Sequence, residues 1–218
     1  MATHDASGSD DAPNARLTAY HRKRDFTRTT EPRGSAAARA RGAGRFVVQL
    51  HDATAMHFDF RLEVDGVLKS WAVPKGPSND PGVKRLAMPT EDHPLEYRDF
   101  EGVIAPGEYG GGTVMIWDEG TYVGLTHDRR GEPVDFADAL ARGHASFRLD
   151  GHKLRGTWAL TRFRGGDDGE REAWLLVRAA HDAASGRAAP DPRRARSVRT
   201  GRGRRAIATE SRPADDTR

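Results

Sequence analysis

The chain has 218 residues, of which 36% are hydrophobic and 31% are charged, and it contains no cysteine. The absence of cysteine excludes disulfide scaffolds, thiolate metal sites, iron–sulfur clusters and cysteine nucleophiles. The N-terminal residues 1–13 lack the apolar stretch of a secretory signal, and no apolar run is long enough to span a bilayer. We therefore expect a cytoplasmic protein without membrane contact.

Charge is distributed unevenly along the chain. The formal net charge is +3, but residues 184–218 contain ten arginines and four acidic residues, which gives that segment a net charge of +6. It has few large apolar side chains, so we predict a disordered tail that binds nucleic acid non-specifically. The sequence divides into a disordered N-terminus (1–16), an arm (17–44), a folded domain (45–182) and a disordered Arg-rich tail (183–218).

The arm and the folded domain differ in their hydrophobic pattern. Residues 14–24 favour a short helix with Leu17 and Tyr20 on one face, and residues 25–44 have no apolar period. Residues 57–64, HFDFRLEV, alternate strictly between apolar and polar side chains, as a half-buried strand does. Further strands are predicted at 46–50, 67–73, 84–88, 112–118, 120–125, 145–151, 153–163 and 173–179, with one helix at 134–142. This pattern predicts a mostly β fold, with about eight antiparallel strands in a barrel or sandwich and one or two short helices.

One group of side chains has the composition of a metal site. His51, His57, Asp59 and Arg61 follow the spacing H-x5-H-x-D-x-R, and residues 57, 59 and 61 share one face of a strand. Two imidazoles and a carboxylate suit Mn²⁺ or Zn²⁺, and an adjacent guanidinium suits phosphate oxygens. The alternative interpretation is an ordinary polar outer face on a half-buried strand.

Other polar motifs are less specific. Glu91, Asp92, His93 and Tyr97 lie in TEDHPLEY, where a histidine and a tyrosine could serve as an acid and a hydrogen-bond donor, or simply belong to a solvated turn. The Lys75-Gly76 pair and the glycine-rich residues 101–113 match neither a P-loop nor a dinucleotide fingerprint. Packed turns explain the glycines equally well.

Two longer segments carry a family resemblance. Residues 17–32, LTAYHRKRDFTRTTEP, and residues 45–122, which begin with RFVVQLHDATAMHFDFRLEV, are similar to the 3′-phosphoesterase domain of bacterial DNA ligase D. The resemblance runs from about Leu17 to Trp174. It implies a β-barrel that uses Mn²⁺, or a similar ion such as Zn²⁺ or Co²⁺, to heal DNA 3′ ends. A 3′-terminal ribonucleoside is removed first, and the remaining 3′-phosphate is then hydrolysed to a 3′-OH.

The resemblance also implies roles for individual residues. The implied metal ligands are His51, His57 and Asp59. The implied contacts to the scissile phosphate are Arg61 and His93. Further implied active-site positions are Arg24, Asp25, Glu31, Lys75, Arg85 and Tyr97, with Asp25 and Glu31 acting from the arm and the others binding phosphate or DNA.

The ligase signature K-x-D-G is absent, so we expect a stand-alone phosphoesterase in the bacterial cytoplasm, associated with the nucleoid. The implied partners are DNA 3′ ends and a separate ligase, polymerase or Ku-type protein. Two alternatives stay open: a catalytically idle module that binds DNA ends, supported by the Arg-rich tail, and a phosphodiesterase acting on a small nucleotide.

Overall fold

A computed structural model gives the structure of the protein for residues 15–34, 43–165, 171–180, 191 and 194–210. Of the ends predicted to be disordered, 1–16 and 183–218, residues 1–14, 183–190, 192–193 and 211–218 fall outside the described residues.

Eight antiparallel strands form a closed barrel, and a ninth short strand extends its edge. The strands are β1 (Gly44–Asp52), β2 (Met56–Val64), β3 (Val67–Val73), β4 (Arg85–Pro89), β5 (Gly102–Ile104), β6 (Gly112–Gly124), β7 (His144–Gly151), β8 (Arg155–Arg164) and β9 (Ala173–Arg178). Their order around the barrel is β1-β2-β3-β4-β9-β8-β7-β6, and pairing of β1 with β6 closes the ring. Strand β5 pairs with the start of β6. The predicted antiparallel barrel is confirmed.

Strand β2 shows how the sequence pattern builds the barrel. Phe58, Phe60 and Leu62 point into the main core, where each is at most 1% exposed. His57, Asp59 and Arg61, which alternate with these apolar residues, point to the outer face, because side chains alternate along a strand. The hairpin to β3 turns at Asp65 and Gly66, whose φ angles of 51° and 81° are those of a tight two-residue turn.

The structure corrects two details of the predicted strands. Residues 112–118 and 120–125 were expected to form separate strands, but β6 runs unbroken through Gly120. A Cβ at Gly120 would lie 2.1 Å from the carbonyl oxygen of Asp150, so this glycine serves close strand approach and makes no turn. Strand β5 arises within the segment expected to hold only turns.

Short helices lie on the barrel, together with a 3-10 turn at Leu95–Asp99. They are α1 (Thr18–Arg22), α2 (Phe136–Ala141) and α3 (Arg204–Glu210). The predicted helix α2 begins at Asp135, whose carboxylate accepts hydrogen bonds from the first-turn amides. Among the described residues, no helix is long and apolar enough to cross a membrane.

The N-terminal arm packs on the outer face of β3. Leu17 and Tyr20 are buried in a second, smaller core with Leu68 and Tyr97. The Tyr20 hydroxyl donates a 2.7 Å hydrogen bond to the carbonyl of Pro32, which folds the arm back on itself. This second core lies beside the outward-facing polar side chains of β2, so the arm is positioned to contribute to a site there.

A C-terminal strap, residues 194–210, crosses the barrel. Ile207 is 1% exposed and joins the main core. Ion pairs between the strap and the barrel are Arg199 with Asp99 and Glu119, Arg202 with Glu101, and Arg204 with Asp52. Disorder was predicted for residues 183–218 because this segment cannot fold alone, whereas residues 194–210 lie against the barrel in the structure. One apolar anchor and a series of acidic partners on the barrel hold it in place.

Candidate active site

The predicted metal ligands and phosphate contacts meet on the outer face of β1, β2 and β3. Register places His51 opposite His57 across the β1–β2 pair, and Arg61 opposite Ser70 across the β2–β3 pair. The side chains of His51, His57, Asp59 and Arg61 line one pocket of about 280 Å³. The remaining lining includes Arg24 from the arm, Glu91 and His93 from the segment before the 3-10 turn, and Tyr97 from the turn itself.

His51, His57 and Asp59 form a cluster with the geometry of a metal site. One potential ligand atom from each lies within 4.8 Å of the others. His51 Nδ1 and His57 Nε2 each lie 3.5 Å from a carboxylate oxygen of Asp59. The opposite ring nitrogens are 2.8 Å from the carbonyl oxygens of Gly110 and Ala55.

These carbonyl contacts make the cluster fit a divalent ion. Each carbonyl accepts a hydrogen bond from one ring nitrogen, which leaves the other nitrogen of the neutral ring with its lone pair aimed at the cluster. A donor set of two imidazole nitrogens and a carboxylate suits Mn²⁺, Zn²⁺ or Co²⁺ and leaves coordination positions for other ligands. The residues present therefore fit a metal ion.

Charge in the cluster is balanced by neighbouring cations. Burial opposes ionisation of Asp59, but Arg61 and the two histidines hold the pKa of its carboxyl well below the usual range. Burial also disfavours the imidazolium of His57, yet the hydrogen bond and charge of Asp59 raise its pKa above the ordinary value. Asp59 is thus an anion at neutral pH, as a metal ligand must be.

Arg61 is buried, 3% exposed, and its guanidinium is held on every side. Its Nε donates to Gln49 Oε1 at 2.8 Å, its Nη1 donates to Ser70 Oγ at 2.8 Å, and its Nη2 donates to Asp59 at 3.0 Å. The ring of Tyr97 packs 4.9 Å beneath the guanidinium carbon. These contacts fix a planar, permanently charged group beside the cluster, which is the geometry that binds phosphate oxygens.

His93 lies between two arginines. Its Nδ1 is 2.9 Å from Arg61 Nη1, and its Nε2 is 3.3 Å from Arg24 Nη2. The carbonyl oxygen of Glu91 also lies 2.8 Å from Nδ1 and accepts a hydrogen bond when that nitrogen carries the proton. Either neutral tautomer accepts a hydrogen bond from one of the two arginines, whereas an imidazolium would turn a donor toward both. Burial, reinforced by the charges of Arg61 and Arg24, lowers the pKa of His93 well below its ordinary value. His93 is therefore neutral at neutral pH.

Arg24 brings the arm into the site. Its Nε donates to Glu31 at 3.0 Å and its Nη1 donates to Glu91 at 3.0 Å, and all three side chains are at most 4% exposed. The guanidinium also stacks on the ring of Tyr20, 3.8 Å from its centroid. Glu31 therefore orients Arg24, and the described residues place no carboxylate of the arm in the His51–His57–Asp59 cluster.

Four predicted site residues lie outside the pocket lining: Glu31, which reaches the pocket only through its hydrogen bond with Arg24, and three residues at the periphery. Asp25 is exposed, and its carboxylate accepts hydrogen bonds from the amide and hydroxyl of Thr27, which stabilises a turn of the arm. Lys75 follows β3 and is exposed, and Arg85 begins β4 and is half-buried. The structure brings the other predicted residues together and leaves these three at the periphery.

Comparison with known proteins identifies the family. A family model described as the DNA ligase D 3′-phosphoesterase domain matches residues 49–162. The chain belongs to this family. The matched range includes His51, His57 and Asp59, which we call the metal-type cluster. It also includes Arg61 and His93, so the family assignment and the geometry of the site concern the same residues.

The curated relatives of this chain are longer, multifunctional proteins. It is 51% identical over 164 residues to the multifunctional non-homologous end joining protein LigD of Pseudomonas aeruginosa, covering 75% of this chain and 18% of that protein. It is 47% identical over 169 residues to the LigD repair protein of Mycobacterium tuberculosis, covering 77% and 20%. The chain thus spans about a fifth of the length of these relatives.

Sequence reasoning missed several residues that support the phosphoesterase site. Gln49 is fully buried, and its Nε2 donates to the carbonyls of Tyr97 and Phe100, which turns its Oε1 toward Arg61. Gln49 lies two residues before His51 and therefore shares the outer face of β1 with it, a spacing from which its place in the site could have been predicted. Glu91 was noted only as part of the TEDHPLEY motif, and neither its contact with Arg24 nor that of Ser70 with Arg61 had a sequence signal, because both join distant segments.

Proposed function

We propose that the chain is a metal-dependent phosphoesterase that heals DNA 3′ ends. It would remove a 3′-terminal ribonucleoside and then the 3′-phosphate, leaving the 3′-OH that repair synthesis or ligation requires. The observation that carries this proposal is the buried Arg61, fixed against both Asp59 of the metal-type cluster and His93. Membership of the LigD 3′-phosphoesterase family supports 3′-end processing in non-homologous end joining.

The proposed mechanism assigns separate tasks to the site residues. A divalent ion held by His51, His57 and Asp59 would supply Lewis-acid polarisation of a phosphoryl oxygen. Arg61 binds the non-bridging oxygens and neutralises the charge that builds on them in the transition state. Because the guanidinium is already oriented by its hydrogen bonds, no reorganisation is needed as that charge develops.

In this proposal, His93 is the residue that takes part in proton transfer. In the tautomer whose Nδ1 accepts from Arg61, Nε2 carries the proton and would donate it in a hydrogen bond to a phosphate oxygen, and the added negative charge of the substrate favours the protonated form of the ring. Arg24, held by Glu31 and Glu91, supports His93 and faces the same phosphate. Tyr97 keeps Arg61 and His93 in place with its ring, 4.9 Å from the guanidinium carbon of Arg61 and 4.7 Å from the imidazole centroid.

The peripheral residues act at longer range in the proposal. Lys75 and Arg85 would contact the DNA backbone beyond the scissile phosphate, and Asp25 would stabilise the turn of the arm that presents Arg24. Mn²⁺ is the proposed cofactor, with Zn²⁺ or Co²⁺ as substitutes. The proposed partners are DNA 3′ ends and a separate ligase, polymerase or Ku-type protein, which places the activity in the bacterial cytoplasm at the nucleoid.

The test is cleavage of a primer–template that ends in a single 3′-ribonucleotide, with and without Mn²⁺. We expect Mn²⁺-dependent release of the ribonucleoside, followed by loss of the 3′-phosphate. The variant His57→Ala should be inactive, while His152→Ala, which changes an exposed histidine of the β7–β8 turn, should match the wild type. Binding without turnover would indicate the idle end-binding module instead. Preferential cleavage of a dinucleotide would indicate a small-nucleotide phosphodiesterase.

A further inference from the structure

An exposed aromatic ring stands at the mouth of the candidate site. Tyr109 lines the same pocket as His51, Arg61 and His93, yet 49% of its surface is exposed. Neither the metal-type cluster nor the proposed phosphate contacts use this ring. A tyrosine combines a large apolar ring with a polar tip, so an exposed one beside a ligand pocket is a candidate for a ligand contact.

Contacts on both sides of Tyr109 fix its position. Lys23 Nζ donates a 3.0 Å hydrogen bond to the Tyr109 hydroxyl and lies 4.6 Å from the ring centroid. The preceding residue, Glu108, forms a 3.0 Å ion pair with Arg28 of the arm. The following residue, Gly110, accepts the hydrogen bond from His51 through its carbonyl.

The backbone around Tyr109 is equally constrained. The amide of Glu108 donates to the carbonyl of Ala105 at 3.2 Å, and the amide of Gly111 donates to the carbonyl of Glu108 at 2.9 Å. Two consecutive turns therefore carry the ring, with Gly107 and Gly110 at φ angles of 87° and 75°. The loop that orients His51 thus also presents Tyr109 to the solvent side of the pocket.

The surroundings of the ring match those of a surface that binds single-stranded nucleic acid. Such surfaces combine aromatic faces, on which bases stack, with cations that follow the phosphates. Here Lys23 lies against the ring and the guanidinium carbon of Arg24 is 5.6 Å from its centroid. Buried Arg61 provides a phosphate-binding charge deeper in the same pocket.

We propose that Tyr109 stacks on a nucleobase next to the scissile phosphate and thereby selects DNA ends that carry a base at that position. The inference rests on the proposed function only in taking a DNA 3′ end as the ligand. The base belongs either to the terminal nucleoside, which leaves, or to the nucleotide before it, which stays. Both sources share the same stacking chemistry, and the substrates below separate them.

The test measures binding of the full chain, without added metal, to three fluorescent primer–templates. The first has all its bases, the second lacks the base of the terminal nucleoside, and the third lacks the base before it. Proteins compared are the wild type, Tyr109→Ala, Tyr109→Trp and Phe163→Ala. Phe163 is a matched control, because it is 52% exposed and lies on β8 outside the pocket lining.

We expect Tyr109→Ala to weaken binding of the complete DNA about tenfold, the size of a lost base–aromatic stack, and to weaken binding of one abasic DNA by less than about twofold. The abasic position that shows this reduced effect is the stacked one. Tyr109→Trp should restore tight binding, and Phe163→Ala should match the wild type. Melting temperatures close to that of the wild type show that the variants are folded.

An equal loss on all three DNAs, or no loss on the complete DNA, would overturn the stacking proposal. Cleavage assays on the same DNAs separate this inference from the proposed function. If the wild type cleaves the complete DNA but Tyr109 shows no dependence on either base, only the stacking proposal fails. If the base dependence appears but no cleavage occurs with Mn²⁺, the stacking stands and the proposed activity fails.

Discussion

One hydrogen bond to each of His51 and His57 decides which ring nitrogen is available to bind a metal ion. The carbonyls of Gly110 and Ala55 each engage one ring nitrogen, so the lone pairs of His51 and His57 converge on Asp59. Asp59 in turn is the carboxylate that faces Arg61. The same residue therefore serves two purposes, as a ligand for a cation and as the counter-charge of a buried guanidinium.

This double role of Asp59 predicts that substitutions at Asp59 and at its neighbour Phe60 have different effects on Mn²⁺ binding and stability. Asp59→Asn should abolish Mn²⁺ binding and lower the free energy of unfolding of the metal-free protein by about 1–3 kcal/mol, because Arg61 loses its counter-charge but keeps an oxygen acceptor. Phe60→Ala removes a fully buried ring and should cost about 3–5 kcal/mol while its folded molecules still bind Mn²⁺. Urea unfolding and Mn²⁺ titration measure both. Retained Mn²⁺ affinity in Asp59→Asn would contradict the ligand assignment.

The depressed pKa of His93 predicts a specific dependence of stability on pH. Burial, with Arg61 and Arg24, keeps the folded-state imidazole neutral, while the unfolded chain takes up a proton near pH 6.5. As pH falls from 7.5 to 5.5, the unfolded state gains a proton that the folded state resists, so this group lowers the free energy of unfolding over that range. Urea unfolding at both pH values should show that loss in the wild type and a correspondingly smaller one in His93→Gln. Equal losses in the two proteins would show that His93 is not the group responsible.

At the scale of elements, the arm completes the site by packing rather than by sequence proximity. Arg24 reaches His93 because Leu17 and Tyr20 anchor α1 on the outer face of β3. The second core is small, so its loss can open the arm while the barrel stays folded. The position of Arg24 should therefore depend on residues that make no contact with a substrate.

Leu17→Ala tests this dependence. The side chain is 3% exposed, and its truncation should weaken docking of the arm by about 2–5 kcal/mol. Hydrogen exchange should accelerate in residues 17–24 and remain slow in β7 and β8, while turnover on the 3′-ribonucleotide substrate falls. Leu86→Ala, at a leucine that is 42% exposed, is the matched control and should change neither readout. Unchanged exchange in the arm would show that the second core does not hold it.

The elements also show how far the sequence alone can lead. Alternation in residues 57–64 predicts both the core face and the polar face of β2, since strand periodicity is a local property. The roles of Ser70 and Glu91 could not be predicted, because β3 and the segment before the 3-10 turn meet Arg61 and Arg24 only after folding. The break predicted between the strands 112–118 and 120–125 was wrong, because the glycine at position 120 allows a close strand approach, a role that a sequence pattern does not distinguish from a turn.

For the molecule as a whole, the strap shows that arginines of the C-terminal segment pair with acidic residues of the barrel. Net charge alone indicates a solvated tail, but it does not show which acidic residues on the barrel stand opposite each arginine. Arg199, Arg202 and Arg204 are engaged in ion pairs with the barrel. Surface pairs of this kind contribute about 0–1 kcal/mol each, so the buried Ile207 should contribute more than any one of them.

Ile207→Ala should accordingly lower the free energy of unfolding by about 2–5 kcal/mol. Val123→Ala, at a side chain that is 53% exposed, should change it by less than about 0.5 kcal/mol. Urea unfolding compares the two variants directly. If Ile207→Ala were as stable as Val123→Ala, the strap would not be part of the folded unit.

The most direct test of the central claim is to measure both proposed activities in His57→Ala under saturating Mn²⁺. One cluster, His51, His57 and Asp59, is proposed to serve both removal of the ribonucleoside and hydrolysis of the 3′-phosphate. Both rates should therefore fall together, each by more than about 100-fold, because a direct ligand matters at least as much as the outer groups that support it. Loss of one activity with the other kept at the wild-type rate would contradict a single shared metal site.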